Sequence, residues 1–170
     1  MRYFVALLIC VVAVSCQRSS YYGMDTWAKP YRPAPAQMAA SDDDIRESVF
    51  RYEMVHNEST QGRKAHAYYL SVEGGQDPSD ALIQKFVNSQ TPVKKQSAAL
   101  VTSQTPLGVH DKQTGLPGLV LTVDSIKRDG DVEAVVTGGY VEGGQSAANK
   151  TYKMRFRHGH WVVIDSSRVK

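Results

Sequence analysis

A chain of 170 residues, 42% hydrophobic and 22% charged, has the composition of an ordinary globular protein and room for one sizeable core. Its 20 basic and 17 acidic residues give a net charge of +3, mixed in sign along the chain, which excludes the clustered basic footprint of a nucleic-acid binder. The two cysteines, Cys10 and Cys16, both sit near the start, so the rest of the chain can build no disulfide framework, thiolate metal cage or cysteine nucleophile.

Arg2 is followed by an almost unbroken apolar run over residues 3–14. As a helix that run reaches roughly 18 Å, short of a hydrocarbon core of about 30 Å. Length and flanks therefore predict a signal peptide over residues 1–15. The exit, Ala13-Val14-Ser15-Cys16, resembles the lipobox of bacterial lipoproteins, departing from it in carrying Ala13 where Leu is usual. The resemblance implies a diacylglyceryl, palmitate-bearing anchor on Cys16. Gln17, where Asp would act as a retention signal, implies the periplasm-facing side of the outer membrane in a Gram-negative cell. Ala13 and Ser15 also satisfy the small-x-small rule of ordinary signal cleavage, and that cut leaves a freely secreted protein with one thiol. A cysteine at the cleavage point of a chain that uses none later favours the anchor.

Residues 16–40 are expected to be the lipidated N-terminus and a tether. Pro30, Pro33 and Pro35 interrupt any helix and favour extended chain, which can span at most about 80 Å. Tyr21, Tyr22, Trp27 and Tyr31 make it an aromatic spacer, open to packing on the domain, on lipid headgroups or on a partner.

A single domain is expected over residues 41–170. Ser41-Asp42-Asp43-Asp44 starts a helix, a serine to cap it and carboxylates for the positive end of its dipole. Ile45, Val49 and Tyr52 form its stripe, widened by Phe50 and Met54, and it ends near Asn57. Residues 66–72 alternate as a strand, with Tyr68, Leu70 and Val72 on one face and Ala67, Tyr69 and Ser71 on the other. After Gly74-Gly75, Asp77 is the expected cap of a second helix, with Pro78 in its first position and Ala81, Leu82 and Phe86 as its stripe. Pro92 closes it, a short strand follows near 93–102, and a Gly- and Pro-rich loop runs to Gly118. Residues 119–126 and 132–141 read as strands joined at Asp129-Gly130. Residues 151–157 alternate strictly, with Tyr152, Met154 and Phe156 inward and Lys153, Arg155 and Arg157 outward. Gly159 then turns the chain into a last strand over 161–166. The predicted fold is α+β: N-terminal helices packed on one side of a curved antiparallel sheet that ends in a meander.

That element order, closing on Gly159-His160-Trp161-Val162-Val163, resembles the NTF2-like (cystatin-like cone) superfamily over residues 42–168, with two helices before the sheet where three are common. The resemblance implies a cone-shaped fold shared by isomerases, dehydratases, transport factors and binding proteins, so it leaves function open.

Few residues point to chemistry. His158-Gly159-His160 is the one close pair among five histidines, on a turn with no Cys or acidic ligand beside it, so no metal is expected. Asp165 shares the alternating register of Trp161 and Val163; if that face lined a cavity, it would be a desolvated carboxylate fit to act as a general base. The competing reading is a surface acid paired with a basic neighbouring strand. Lys153, Arg155 and Arg157 form a basic stripe that could meet anionic lipid or simply face water. Asn57-Glu58-Ser59 and Asn149-Lys150-Thr151 are glycosylation triplets that a bacterial host leaves unused. Nucleophile elbows, phosphate-binding glycine loops and zinc-protease helices are absent from the sequence, and no cofactor is expected. The expected function is thus an exported, lipid-anchored envelope protein with a non-enzymatic binding or scaffolding domain, its partner open. The alternatives are a cone-fold enzyme using Asp165 and a freely secreted interaction or inhibitory module.

Overall fold

The acidic start at Ser41 nucleates helix α1, Asp42–His56. The Asp44 carboxylate folds back to accept from the Ser41 N–H at 2.8 Å and its hydroxyl at 3.0 Å, so the acid closes the first turn. Ile45, Val49, Phe50 and Glu53 are buried, and the helix stops at Asn57, as the stripe predicts. The structure, a computed structural model, describes residues 41–60, 62–102, 108–143 and 146–169. The expected signal peptide, Cys16 and the tether lie outside the described residues.

The chain continues through β1 (Ala67–Val72), a short helix α2 (Asp80–Gln84), β2 (Val93–Lys95), β3 (Ala99–Val101) and β4 (Val109–Asp111). Four long strands follow: β5 (Gly118–Asp129), β6 (Glu133–Gly143), β7 (Ser146–Arg157) and β8 (His160–Arg168). Six strands form one sheet in the order β2-β1-β5-β6-β7-β8, while β3 and β4 pair in a separate ribbon. The class is α+β with a mostly antiparallel sheet. One part of the expectation needs correction: β1 runs parallel to both neighbours, Tyr68 beside Val93 and Leu119. The excursions over residues 73–92 and 96–117 are long enough to carry the chain back across the sheet, as parallel pairing requires.

The second helix also starts later than its sequence suggests. Ser79, not Asp77, is its cap, accepting from the Leu82 N–H at 3.1 Å and donating to Asp43 of α1 at 2.9 Å. Asp77 instead accepts the Ser97 N–H at 2.8 Å. Two acceptors compete for one helix end, and the one that also ties α2 to α1 wins.

β1 is buried along its whole length, and its two faces enter two cores. Tyr68, Leu70 and Val72 join Ile45, Val49 and Phe50 of α1, Leu119, Leu121, Tyr152, Met154 and Trp161 in the larger. Ala67 and Tyr69 join Ala99, Val109 and Val120 in the smaller, under the β3–β4 ribbon. The hairpins are built as their glycines predict: Gly130 at φ 66° turns β5 into β6, and His158-Gly159, both at positive φ, turn β7 into β8.

Candidate functional site

Asp165 does not share a face with Trp161. Met154 pairs with Val163 but Lys153 pairs with Asp165, so Ile164 is an extra residue, and this β-bulge reverses the in–out parity of the strand. Trp161 is buried, Asp165 turns outward to Lys153 at 3.2 Å, and Ser166 turns inward to the Tyr52 hydroxyl at 2.9 Å. The Asp165 side chain is 55% exposed, the surface acid of the competing reading. The basic stripe is interrupted by acids in the same way, Lys153 by Asp165 and Arg155 by Glu133. His158 and His160 are exposed on their turn. Among the described residues no three His, Cys, Asp or Glu side chains gather as metal ligands.

The face beneath α1 is filled by Tyr152, Met154 and Trp161. It also holds a pair invisible to hydropathy: Glu53 of α1 and Lys150 of β7, buried together with Nζ–Oε distances of 3.0 and 3.3 Å. The Lys150 ammonium lies 5.4 Å from the centre of the Tyr140 ring. Burial, followed by the charge of Glu53, pushes the Tyr152 phenol far up, so it stays protonated. These contacts fix the register of the helix on the sheet.

The other face carries the arrangement best suited to meet a ligand. Tyr69, pointing away from α1, donates its hydroxyl to Asp111 Oδ2 at 2.7 Å, and the Lys94 ammonium of β2 reaches the same oxygen at 2.7 Å. Asp111 Oδ1 accepts the backbone N–H groups of Gln113 and Thr114, both at 2.9 Å, closing an Asx-type turn. Gly115, at φ 70°, completes that turn. Lys94, then the Tyr69 hydroxyl, hold the Asp111 carboxyl far below the usual carboxylate range. Burial and Asp111 push Tyr69 far up. Gly118 lies where a Cβ would meet the Tyr69 ring at 2.4 Å, so the glycine makes room for the phenol.

Two recesses flank this cluster and share Lys94 and Asp111. One, of about 180 Å³, is bounded by His66, Tyr69, Pro92, Thr114 and Leu116. The other, of about 490 Å³, is lined by Lys94, Lys95, Ser97, Asp111, Lys112 and Gln113. Lys112 anchors its wall, donating its ammonium to the Ser97 carbonyl at 2.7 Å and its N–H to the Ala98 carbonyl at 3.0 Å. All four oxygen contacts of Asp111 are spent inside the protein, whereas each lysine keeps N–H donors beyond the contact it makes. The recess therefore presents hydrogen-bond donors.

Sequence reading missed this site because its parts lie in segments taken as a short strand and a loop. The available signal was Asp111 four residues before Gly115, an Asx-turn spelling, with the Lys94-Lys95 pair on a strand edge. No family model, curated protein or solved structure matches the chain.

Proposed function

We propose that this chain is an exported envelope protein, anchored through lipid on Cys16, whose folded domain is a non-enzymatic binding module. The leader and the lipobox-like Ala13-Val14-Ser15-Cys16 support export and anchoring. The observation that carries the binding reading is the contrast between the two faces of the sheet. Under α1 the side chains pack shut around a satisfied ion pair, with Asp165 turned out to Lys153. Over the opposite face, a donor-lined recess stands open at the sheet edge. An isomerase of cone type needs its acid and base inside the hollow of the sheet, and that space is taken by Tyr152, Met154 and Trp161. Helix α1 lying on a bulged meander supports membership of the NTF2-like cone superfamily.

The anchor is tested by detergent-phase partitioning and by the mass of the mature N-terminus in the bacterial host. Wild-type protein partitions into detergent with a lipid-modified Cys16, and Cys16→Ser moves it to the aqueous phase. An unmodified Cys16 thiol at the mature N-terminus indicates free secretion and rejects the anchor.

A further inference from the structure

We infer that the Lys94–Lys95–Lys112 recess binds a phosphate group carried by a small ligand. The inference deepens the binding reading and rests on it, but it is independent of how the chain is exported. Lys94, Lys95, Lys112 and Asp111 line about 490 Å³ at the sheet edge, within the roughly 300–1,000 Å³ range of small-ligand pockets, with Lys94 beside Tyr69 and Lys95 beside Leu70 on the opposite face of the edge strand. The lysines come from separate places: Lys94 and Lys95 from the edge strand β2, Lys112 from the turn after β4. The Asp111–Tyr69 cluster behind them fixes one wall.

Three carboxylates, Asp111, Asp77 and Asp80, stand against the three lysines, so what the recess offers a ligand is the spare ammonium N–H donors rather than net charge. Asp111 has its oxygens filled by Tyr69, Lys94 and two backbone N–H groups. Asp77 accepts the Ser97 N–H. The Asp80 side chain, which meets Lys95 at 2.6 Å, is 87% exposed, and surface pairs of that kind contribute little and yield to a competing anion.

The donor type suits a phosphate group. The arginine fork matches carboxylates and phosphates alike, whereas lysines act as point charges that can meet a tetrahedral oxyanion from several sides. The lining contains lysines and no arginine. Ser97 and Gln113 add neutral polar groups at the rim.

The test uses the full chain in neutral detergent, with backbone amide NMR read during titration of inorganic phosphate, pyrophosphate, citrate and sodium chloride at matched ionic strength. Pyrophosphate should shift the amides of Lys95, Ser97, Lys112 and Gln113 saturably, and citrate should bind more weakly. The double variant Lys95→Gln/Lys112→Gln should weaken pyrophosphate about tenfold or more, since each lysine supplies a charge-assisted hydrogen bond. Lys94 is left in place because it supports Asp111. Vesicles of phosphatidylglycerol tested beside neutral vesicles separate the two sources of the group: saturation by pyrophosphate alone assigns a soluble phosphate ester, and a matching shift by the anionic vesicles assigns a lipid headgroup. Shifts that sodium chloride reproduces, that citrate exceeds, or that survive in the double variant overturn the inference. A lipid-modified Cys16 with no phosphate response rejects the site and leaves the anchor standing.

Discussion

Asp111 shows how much one side chain can organise when every lone pair is used. Its carboxylate ties β1 through Tyr69, β2 through Lys94 and its own turn through two N–H groups, while the side chain is 4% exposed. Because its folded pKa lies below the unfolded value of about 3.9, its contribution to stability is complete above that value and fades as pH falls below it. Asp44 and Asp77 act in the same direction. For Asp44 the hydrogen bonds from Lys85 and Ser41 outweigh a burial penalty, and for Asp77 those from Ser97 do. Urea midpoints measured from pH 5 to pH 2 should therefore fall for the wild type. In Asp111→Asn the midpoint should start lower at pH 5 and fall less steeply, the residual slope belonging to the other two acids. Parallel curves for the two proteins would assign the acid sensitivity elsewhere. The Glu53–Lys150 pair follows a different logic. Both groups give up hydration on burial, so their attraction serves mainly to hold α1 in one register, and losing either partner strands a charge.

At the scale of elements, the shape of the sheet is set by bulges and by glycines that let strands close in. The β5–β6 ladder slips at Asp124, the β6–β7 ladder at Glu142 and the β7–β8 ladder at Ile164. Gly138 and Gly139 lie next to the first of these slips. A Cβ on Gly138 would meet the Thr122 carbonyl oxygen at 2.1 Å, and one on Gly139 the Ala148 carbonyl oxygen at 1.8 Å. Both obstacles are backbone, so they can yield only by parting the strands. Gly139→Ala should cost about 1–3 kcal/mol or more in urea unfolding, the usual range for overpacking. A variant as stable as the wild type would show that the strands can separate there at no cost. The same devices explain what could be read in advance. The stripe of α1, both faces of β1 and the strict alternation over 151–157 obey one period each, so hydropathy placed them. A bulge inserts one residue and flips the parity of all that follow, with no mark in composition, which is why Asp165 read as inward while Ser166 occupies that side. Parallel pairing of β1 was equally hidden, because it depends on where two long connections lead. The recess was hidden too, being assembled from β2 and the turn after β4, which stand 16 residues apart at Lys95 and Asp111.

Across the described residues as a whole, one sheet separates two cores of unequal strength. The larger runs from α1 through the long antiparallel strands and includes Phe50, Leu70, Leu121, Tyr152 and Met154. The smaller has five buried members, Ala67, Tyr69, Ala99, Val109 and Val120, beneath a ribbon whose strands are three residues each. Burial of apolar area sets the free energy needed to expose a segment, so the ribbon should open well before the sheet does. That ordering bears on binding: the recess wall at Lys112 hangs from the ribbon's end, whereas Lys94 and Lys95 are paired to β1. A ligand bridging Lys112 to Lys95 would then bind the closed ribbon better than the open one and stabilise it by that difference. Native-state hydrogen exchange checks both halves of the argument. Amides that pair β3 with β4 should exchange through a local opening of lower free energy than those in the centre of β5, β6 and β7. Saturating pyrophosphate should slow the former and leave the latter unchanged. Equal protection in ribbon and sheet without ligand would mean that the smaller core is as cooperative as the larger, and the recess would then be a rigid notch with no hinged wall.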